Sequence, residues 1–430
     1  MLRTQALKYH PMNVFKFGGA SIGSIEKIKN VGQILASYRH EPLLVIISAM
    51  GKTTNALEKV AEAFFAGNQA ESLELFASIK TSHNDVATEL GVASEAEERL
   101  RDIYTEVEWL LHDKPVREFD YYYDQVVCTG ELMSTAIVSA YLESAGISNQ
   151  WLDVRDIFRT DDHYREANID FSQTALHVTQ LVKPLLNEGK LILTQGFIGS
   201  TDENESTTLG REGSDYTAAV FANLLGAKAQ TIWKDVEGVM NAGPKAFPDA
   251  AFISDLSYDE VIEMAYYGAQ VIHPKTIKPL QNKQIPLHVR CFLKPELRGT
   301  IISHKPVKNL PPIIVLKEQQ VLIRFSSRDF SFIGENGVGQ LYNLFAEARI
   351  RPNITQTTAI SLWAGFDDRA DKIEKLALLA GTEFDVQVEK GIRLLTVRHY
   401  QQDLVDRLTA GKEIILVQKT SDTIQVLMKS

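Results

Sequence analysis

The 430 residues contain only two cysteines, Cys128 and Cys291, and neither sits in a CxxC pair or a Cys/His cluster with metal-ligand spacing. That excludes a disulfide framework and a structural zinc, and it points to a reducing compartment. No apolar run reaches the ~20 residues needed to span a bilayer, so no membrane partner is expected. The first dozen residues, MLRTQALKYHPM, lack the apolar core of a secretory signal, and the cytoplasm is the expected location. Positive charge is also short: 45 Lys and Arg stand against 55 Asp and Glu, a net charge of −10. A broad nucleic-acid footprint is thereby excluded, and an anionic ligand needs cations and backbone amides gathered locally.

The chain has an ordinary globular balance, 44% hydrophobic and 23% charged, and is long enough for two or three domains. Up to about Ile302, short apolar runs alternate with longer helical stretches. The runs VFKF, LLVIISA (43–49), LILTQGFIG (191–199), AQTIWKDV (229–236) and IPLHVRC (285–291) read as strands. Helices are expected between Ala56 and Leu111 and over GELMSTAIVSAYLESAG, TALHVTQLVKPLLNEG and SDYTAAVFANLLGA. Such alternation predicts an α/β fold, an open sheet covered by helices, with ligands at the carboxyl ends of the strands. The segment SHKPVKNLPP (303–312) has three prolines and no amphipathic period, and reads as a linker. After it, QVLIRFSS, GVGQLYNLFAEARI, NITQTTAISLWAGF, ADKIEKLALLAG and FDVQVEK follow a βαββαβ order, the ferredoxin-like plan. A shorter βαββ round follows in IRLLTVRH, QDLVDRLTAG, EIILVQKT and TIQVLMKS, and it lacks a second helix and final strand.

Five stretches carry chemistry, each beginning where a strand ends or a helix starts. In VFKFGGAS (14–21), Lys16 stands among strand residues and two glycines follow. Buried lysines need an anionic partner, and successive glycines let amides face an anion; a tight turn with a snorkelling lysine is the alternative. SAMGKTTNAL offers Ser48 and a glycine turn, and TGELMS places Glu131 in the first turn of a helix. A carboxylate there also suits the helix dipole alone. TTLGREGSDYTAA gathers Thr207, Thr208, Gly210, Arg211, Gly213, Ser214 and Asp215 at a helix start. That set suits an anion site, whereas plain capping by Ser214 or Asp215 leaves Arg211 unexplained. IWKDVEGVMNAGPK brings Lys234, Asp235, Gly238 and Lys245 after another strand.

Together these stretches resemble the aspartate kinases of the amino-acid kinase superfamily. KFGGAS is similar to that family's KFGGTS, SAMGKTTNAL to SAxxGxTNxL, TGELMS to GExxS, and TTLGREGSD to TTLGRGGSD. SYDEVIEMAYYGAQVIHPKTIKPL (257–280) and IPLHVRCFLKPELRGTII (285–302) continue the match in the family's order. The resemblance implies a kinase domain over 1–302, a linker over 303–312, a first ACT-like domain over 313–390 and a truncated second ACT-like unit over 391–430. It implies transfer of the γ-phosphoryl of ATP, with Mg²⁺, to the β-carboxylate of L-aspartate, the first step towards lysine, threonine and methionine. It further implies lysine or threonine as effector at the ACT region, and a homodimer or higher homo-oligomer formed through that region. By position, Lys16 would meet the transferring phosphoryl with Gly18, Gly19 and Ser21 beside it, and Asp215 would orient Lys16. Glu131 would take the α-ammonium and Arg211 a carboxylate, with Ser48, Phe197 and Ser214 completing that pocket. Lys234, Asp235, Met240, Lys245 and Gln270 correspond to nucleotide contacts, and His273 is expected to be structural.

The chain departs from the family at Ala20 for threonine, Glu212 for glycine, Lys234 for threonine, Met240 for tyrosine and Gly243 for aspartate. Gln270 stands where a lysine is common, a loss that Lys234 would offset, and Ala359 stands where an acidic residue is common in the ACT region. These departures keep two alternatives open, a related small-molecule kinase and a catalytically weak amino-acid sensor.

Overall fold

A computed structural model describes residues 12–429. The expectation made for the leading dozen residues therefore lies, Met12 apart, outside the described residues. The chain divides into two compact units. One holds the chain up to Val239 with Ile253–Ile262 and Ile272–Val307; the other holds Met240–Phe252, Glu263–Val271 and the chain from Lys308 onward.

The chain up to Ser303 forms β1 (Asn13–Phe17), β2 (Leu43–Ile47), β3 (Asn149–Trp151), β4 (Leu191–Gln195), β5 (Ile198–Ser200), β6 (Ser206–Thr208) and β7 (Ala229–Lys234). Then come β8 (Val239–Met240), β9 (Phe252–Ile253), β10 (Asp255–Ser257), β11 (Leu287–Cys291) and β12 (Thr300–Ser303). Eight of these make a sheet of order β10-β12-β11-β7-β1-β2-β4-β3, while β5 and β6 pair as a separate ribbon. Its central strands β11, β7, β1, β2 and β4 all run parallel, so their carboxyl ends share one edge. Helices α1 (Ile25–Ala36), α2 (Thr53–Phe65), α3 (Gln69–Glu89), α4 (Ala93–His112), α5 (Phe119–Val127) and α6 (Thr129–Ser144) fill the first two crossovers. They are followed by α7 (Phe171–His177), α8 (Lys183–Asn187), α9 (Gly213–Leu225), α10 (Tyr258–Tyr266) and α11 (Pro274–Asn282).

β2 is an unbroken apolar run, LLVII, buried at every position, as expected of a strand covered on both faces. β1 departs from that only at its first residue and at Lys16. Phe17 stacks on Trp233 of the neighbouring β7, with ring centroids 5.8 Å apart. The helical region from Ala56 to Leu111 divides into three helices, because Gly67 (φ +81°) and Gly91 (φ +76°) take the left-handed conformation that ends a helix. One expectation is corrected here. The stretch 191–199 is two strands, since the chain turns at Gly196 and Phe197.

In the second unit, β13 (Ile313–Ser327), α12 (Gly334–Glu347), β14 (Ile354–Thr357), β15 (Ser361–Asp367), α13 (Ala370–Ala380) and β16 (Phe384–Arg398) realise the βαββαβ order. α14 (Gln402–Thr409), β17 (Ile414–Lys419) and β18 (Thr423–Lys429) follow. All six strands form one antiparallel sheet, β14-β15-β13-β16-β18-β17. FDVQVEK and IRLLTVRH, read above as two strands, are one 15-residue β16, because Gly391 (φ +74°) lets the strand bulge without ending. β13 is equally long and pairs with β16 along both halves, with a register shift around Gln319. Its first half, Ile313–Lys317, lies against Leu394–Arg398, which in turn pairs with β18. The short second βαββ round thus obtains its fourth strand from the start of the first one. Each half has its own apolar core, one around Phe325, Phe345 and Phe366, the other around Leu395, Val405 and Val426.

Candidate active site

Four neighbouring strands deliver side chains to one edge of the first sheet. Lys16 leaves β1, Ser48 follows β2, Phe197 follows β4 and Lys234 ends β7. The Lys16 ammonium Nζ lies 2.6 Å from Asp215 Oδ1, and the two side chains are only 13% and 5% exposed. Asp215 comes from the first turn of α9, so the helix start supplies the counter-charge that a lysine in a central strand requires. Ser48 Oγ donates to Ser214 Oγ at 3.0 Å, joining the end of β2 to the same helix turn. Phe197 has φ +71°, rare for a bulky side chain. Its N–H is held by Thr217 Oγ1 at 3.0 Å, and Gly213 packs so closely that a Cβ there would lie 2.7 Å from the Phe197 ring.

Glu131 is 3% exposed, and one of its oxygens, Oε1, accepts the Ala49 N–H at 3.2 Å. The other oxygen, Oε2, is buried without a hydrogen-bond partner among the described residues. Burial pushes the carboxyl up to about 8, against the opposing pull of the Ala49 N–H and of Lys16. The dipole alternative loses its basis, because the backbone stays helical through Cys128 (φ −56°, ψ −27°) and α5 runs into α6 without an open helix start. Glu131 is thus a carboxyl group with an unused acceptor beside a lysine.

The loops after β1 and β2 are packed on each other. A Cβ on Gly19 would stand 2.6 Å from the Ala49 carbonyl oxygen, and the Gly51 N–H donates to Gly19 O at 3.2 Å. Gly19 thus admits a neighbouring backbone, whereas a Cβ added at Gly18 would meet Lys16 Nζ at an ordinary 3.4 Å. Ser21 is 1% exposed, and its hydroxyl donates to the Trp233 carbonyl at 3.3 Å.

A family model described as the amino acid kinase family matches residues 11–291. Lysine-sensitive aspartokinase 3 of Escherichia coli is 31% identical over 412 residues, covering 93% of this chain and 89% of the relative. The chain belongs to the amino acid kinase family, among the aspartokinases. Aspartokinase 2, chloroplastic, of Arabidopsis thaliana is 33% identical over 81% of this chain, a match spanning 65% of that longer relative. Among solved structures, E. coli aspartokinase III in complex with aspartate and ADP superposes with a TM-score of 0.79 at 27% identity, covering 97% of this chain and 96% of that one. The same enzyme in complex with lysine and aspartate gives 0.78 at 28% identity and the same coverage.

The other expected residues of this aspartokinase chain fall as follows. Arg211 is exposed, at the corner of a turn closed by the Gly213 N–H on Gly210 O. Lys234 is half-buried and Asp235 exposed, just past β7. Met240, Lys245 and Gln270 belong to the second unit, the first half-buried and the others exposed. His273 is structural: its Nδ1 accepts the Lys275 N–H at 3.1 Å and caps α11. Two contributors were missed. Asp124 is buried in α5, where it accepts the Thr208 N–H, the Thr208 hydroxyl and the Arg165 N–H at 2.7 to 2.9 Å, and burial pushes it up to about 6. It anchors the strand leading to Arg211, yet in the sequence it is one acid after three tyrosines. Gly196 is the second, because a Cβ there would lie 2.6 Å from Ser214 Cβ; a glycine directly after an apolar strand is the signal that could have found it.

Proposed function

We propose that this chain transfers the γ-phosphoryl of ATP to the β-carboxylate of L-aspartate. The observation that carries the reading is Lys16 in the central strand, paired with Asp215 and standing within electrostatic reach of the buried, half-satisfied Glu131. An acceptor carboxylate is ionised at neutral pH and needs no general base. Phosphoryl transfer depends instead on alignment and charge stabilisation. In this reading Lys16 meets the charge growing on the transferring group, with Asp215 fixing its ammonium, and the Gly18 amide lies alongside. Glu131 receives the substrate ammonium on its free oxygen, Arg211 holds a carboxylate with its planar fork, and Ser48, Phe197 and Ser214 shape the pocket. Lys234 and Asp235 serve the nucleotide. The exposed Asp235 carboxylate, with no hydrogen bond or ion pair among the described residues, is a hard oxygen donor of the type Mg²⁺ accepts. Mg²⁺ arriving on the nucleotide phosphates would neutralise part of their charge.

Lysine is the effector proposed for the second unit, on the likeness to a lysine-sensitive relative, and self-association through that unit belongs to the same proposal. The deciding experiment incubates the protein with Mg·ATP and L-aspartate and traps acyl phosphate as its hydroxamate. Product with aspartate and none with glutamate is expected; silence with both, from folded protein, rejects the reading.

A further inference from the structure

Residue 212 is a glutamate at a place where the family pattern has glycine, and its backbone is left-handed at φ +55°, a conformation that glycine adopts without strain. The unfavourable residue does something a glycine cannot. Glu212 Oε2 accepts the His273 N–H at 2.8 Å, tying the turn that bears Arg211 to the residue capping α11. The first turn of α11 reaches back: Lys275 Nζ donates to Leu209 O at 3.1 Å and sits 5.3 Å from the centre of the Tyr216 ring. The turn is thereby held from both sides, by a carboxylate going out at 212 and an ammonium coming in at 209. Within the turn, the Gly213 N–H on Gly210 O leaves Arg211 and Glu212 as the two corner residues. Arg211 itself makes no hydrogen bond or ion pair among the described residues, so its backbone is fixed while its guanidinium stays available. The hydrogen bond also directs the Glu212 charge to the α11 cap.

We propose that Glu212 is a positioning residue, which acts through Arg211 by latching its turn to α11 and so sets the affinity for the substrate carboxylate. This rests on the aspartate-kinase reading. The test compares Glu212→Gly, which suits φ +55° and should fold, with Glu212→Gln, whose amide oxygen still accepts from His273. Glu212→Gly is expected to raise KM for aspartate about five- to tenfold, with kcat and KM for ATP changed less than about twofold. Glu212→Gln should recover most of that loss. An aspartate KM for Glu212→Gly within about twofold of wild type, or an equal loss in Glu212→Gln, overturns the proposal. Amide hydrogen exchange over residues 272–276 reads the latch without turnover. Faster exchange in Glu212→Gly than in wild type supports it, and equal exchange overturns it. A wild-type protein without aspartate-dependent turnover rejects the proposed function instead, and the exchange result then still decides whether the latch exists.

Discussion

Glu131 holds its proton at neutral pH in the ligand-free protein, since burial pushes it up to about 8 from an ordinary value of 4.5. Between those limits the folded chain binds one proton more than the unfolded chain at this site, so its contribution to stability falls as pH rises from 4.5 to 8. Glu131→Gln should therefore stabilise the ligand-free protein above pH 8 by on the order of 4 kcal/mol, measured by denaturant melts, while abolishing aspartate binding. Substrate affinity should run the opposite way, because a substrate ammonium needs the carboxylate: KM for aspartate should be about tenfold lower at pH 8 than at pH 6.5. Lys16→Met should lower kcat by about 10²- to 10³-fold, the scale of one lost transition-state donor, and also destabilise by leaving Asp215 buried without its partner. Lys16 was legible because a charged residue inside an apolar strand demands an explanation, and Asp215 was set beside it by the family resemblance. Asp124 was not, because what sets it apart is three hydrogen bonds to segments distant in the chain.

Among elements, the two loops after β1 and β2 behave as one object. Gly19→Ala should force the Ala49 carbonyl away from its 2.6 Å approach, at a cost of about 1–3 kcal/mol. Because Ala49 also supplies the N–H bound by Glu131, turnover should fall together with melting temperature, as paired assays and thermal scans would show. The parallel strands were readable from their apolar runs. Helix breaks at Gly67 and Gly91 lay in a region of mixed polarity where periodicity continues across each glycine. The short strands β3, β10 and β12 escaped because three or four residues hold no period to detect.

At the scale of the whole molecule, the second unit has two lobes that share one pair of long strands. Thr396→Pro, in β16 between Val315 of β13 and Gln425 of β18, removes a ladder donor from a central strand. It should cost about 3 kcal/mol or more and loosen both lobes, seen as faster hydrogen exchange in α12 as well as α14. The two-round pattern of this unit was legible from sequence, whereas its closure was not, since nothing local in Ile313–Lys317 says that its partner is Leu394–Arg398. That pairing also dictates an order of events during synthesis. The lobe built on α12 and α13 has all its strands once Ser327 and Glu389 have both been made. The other lobe must keep its first strand, Ile313–Lys317, waiting unpaired through the whole of that intervening lobe until Leu394–Arg398 appears, and its sheet is complete only once β18 (Thr423–Lys429) has been made. Such long-range closure is slow and leaves a strand edge open to foreign partners. The inner lobe should be born first, and the outer lobe is where a nascent chain would be most open to mispairing.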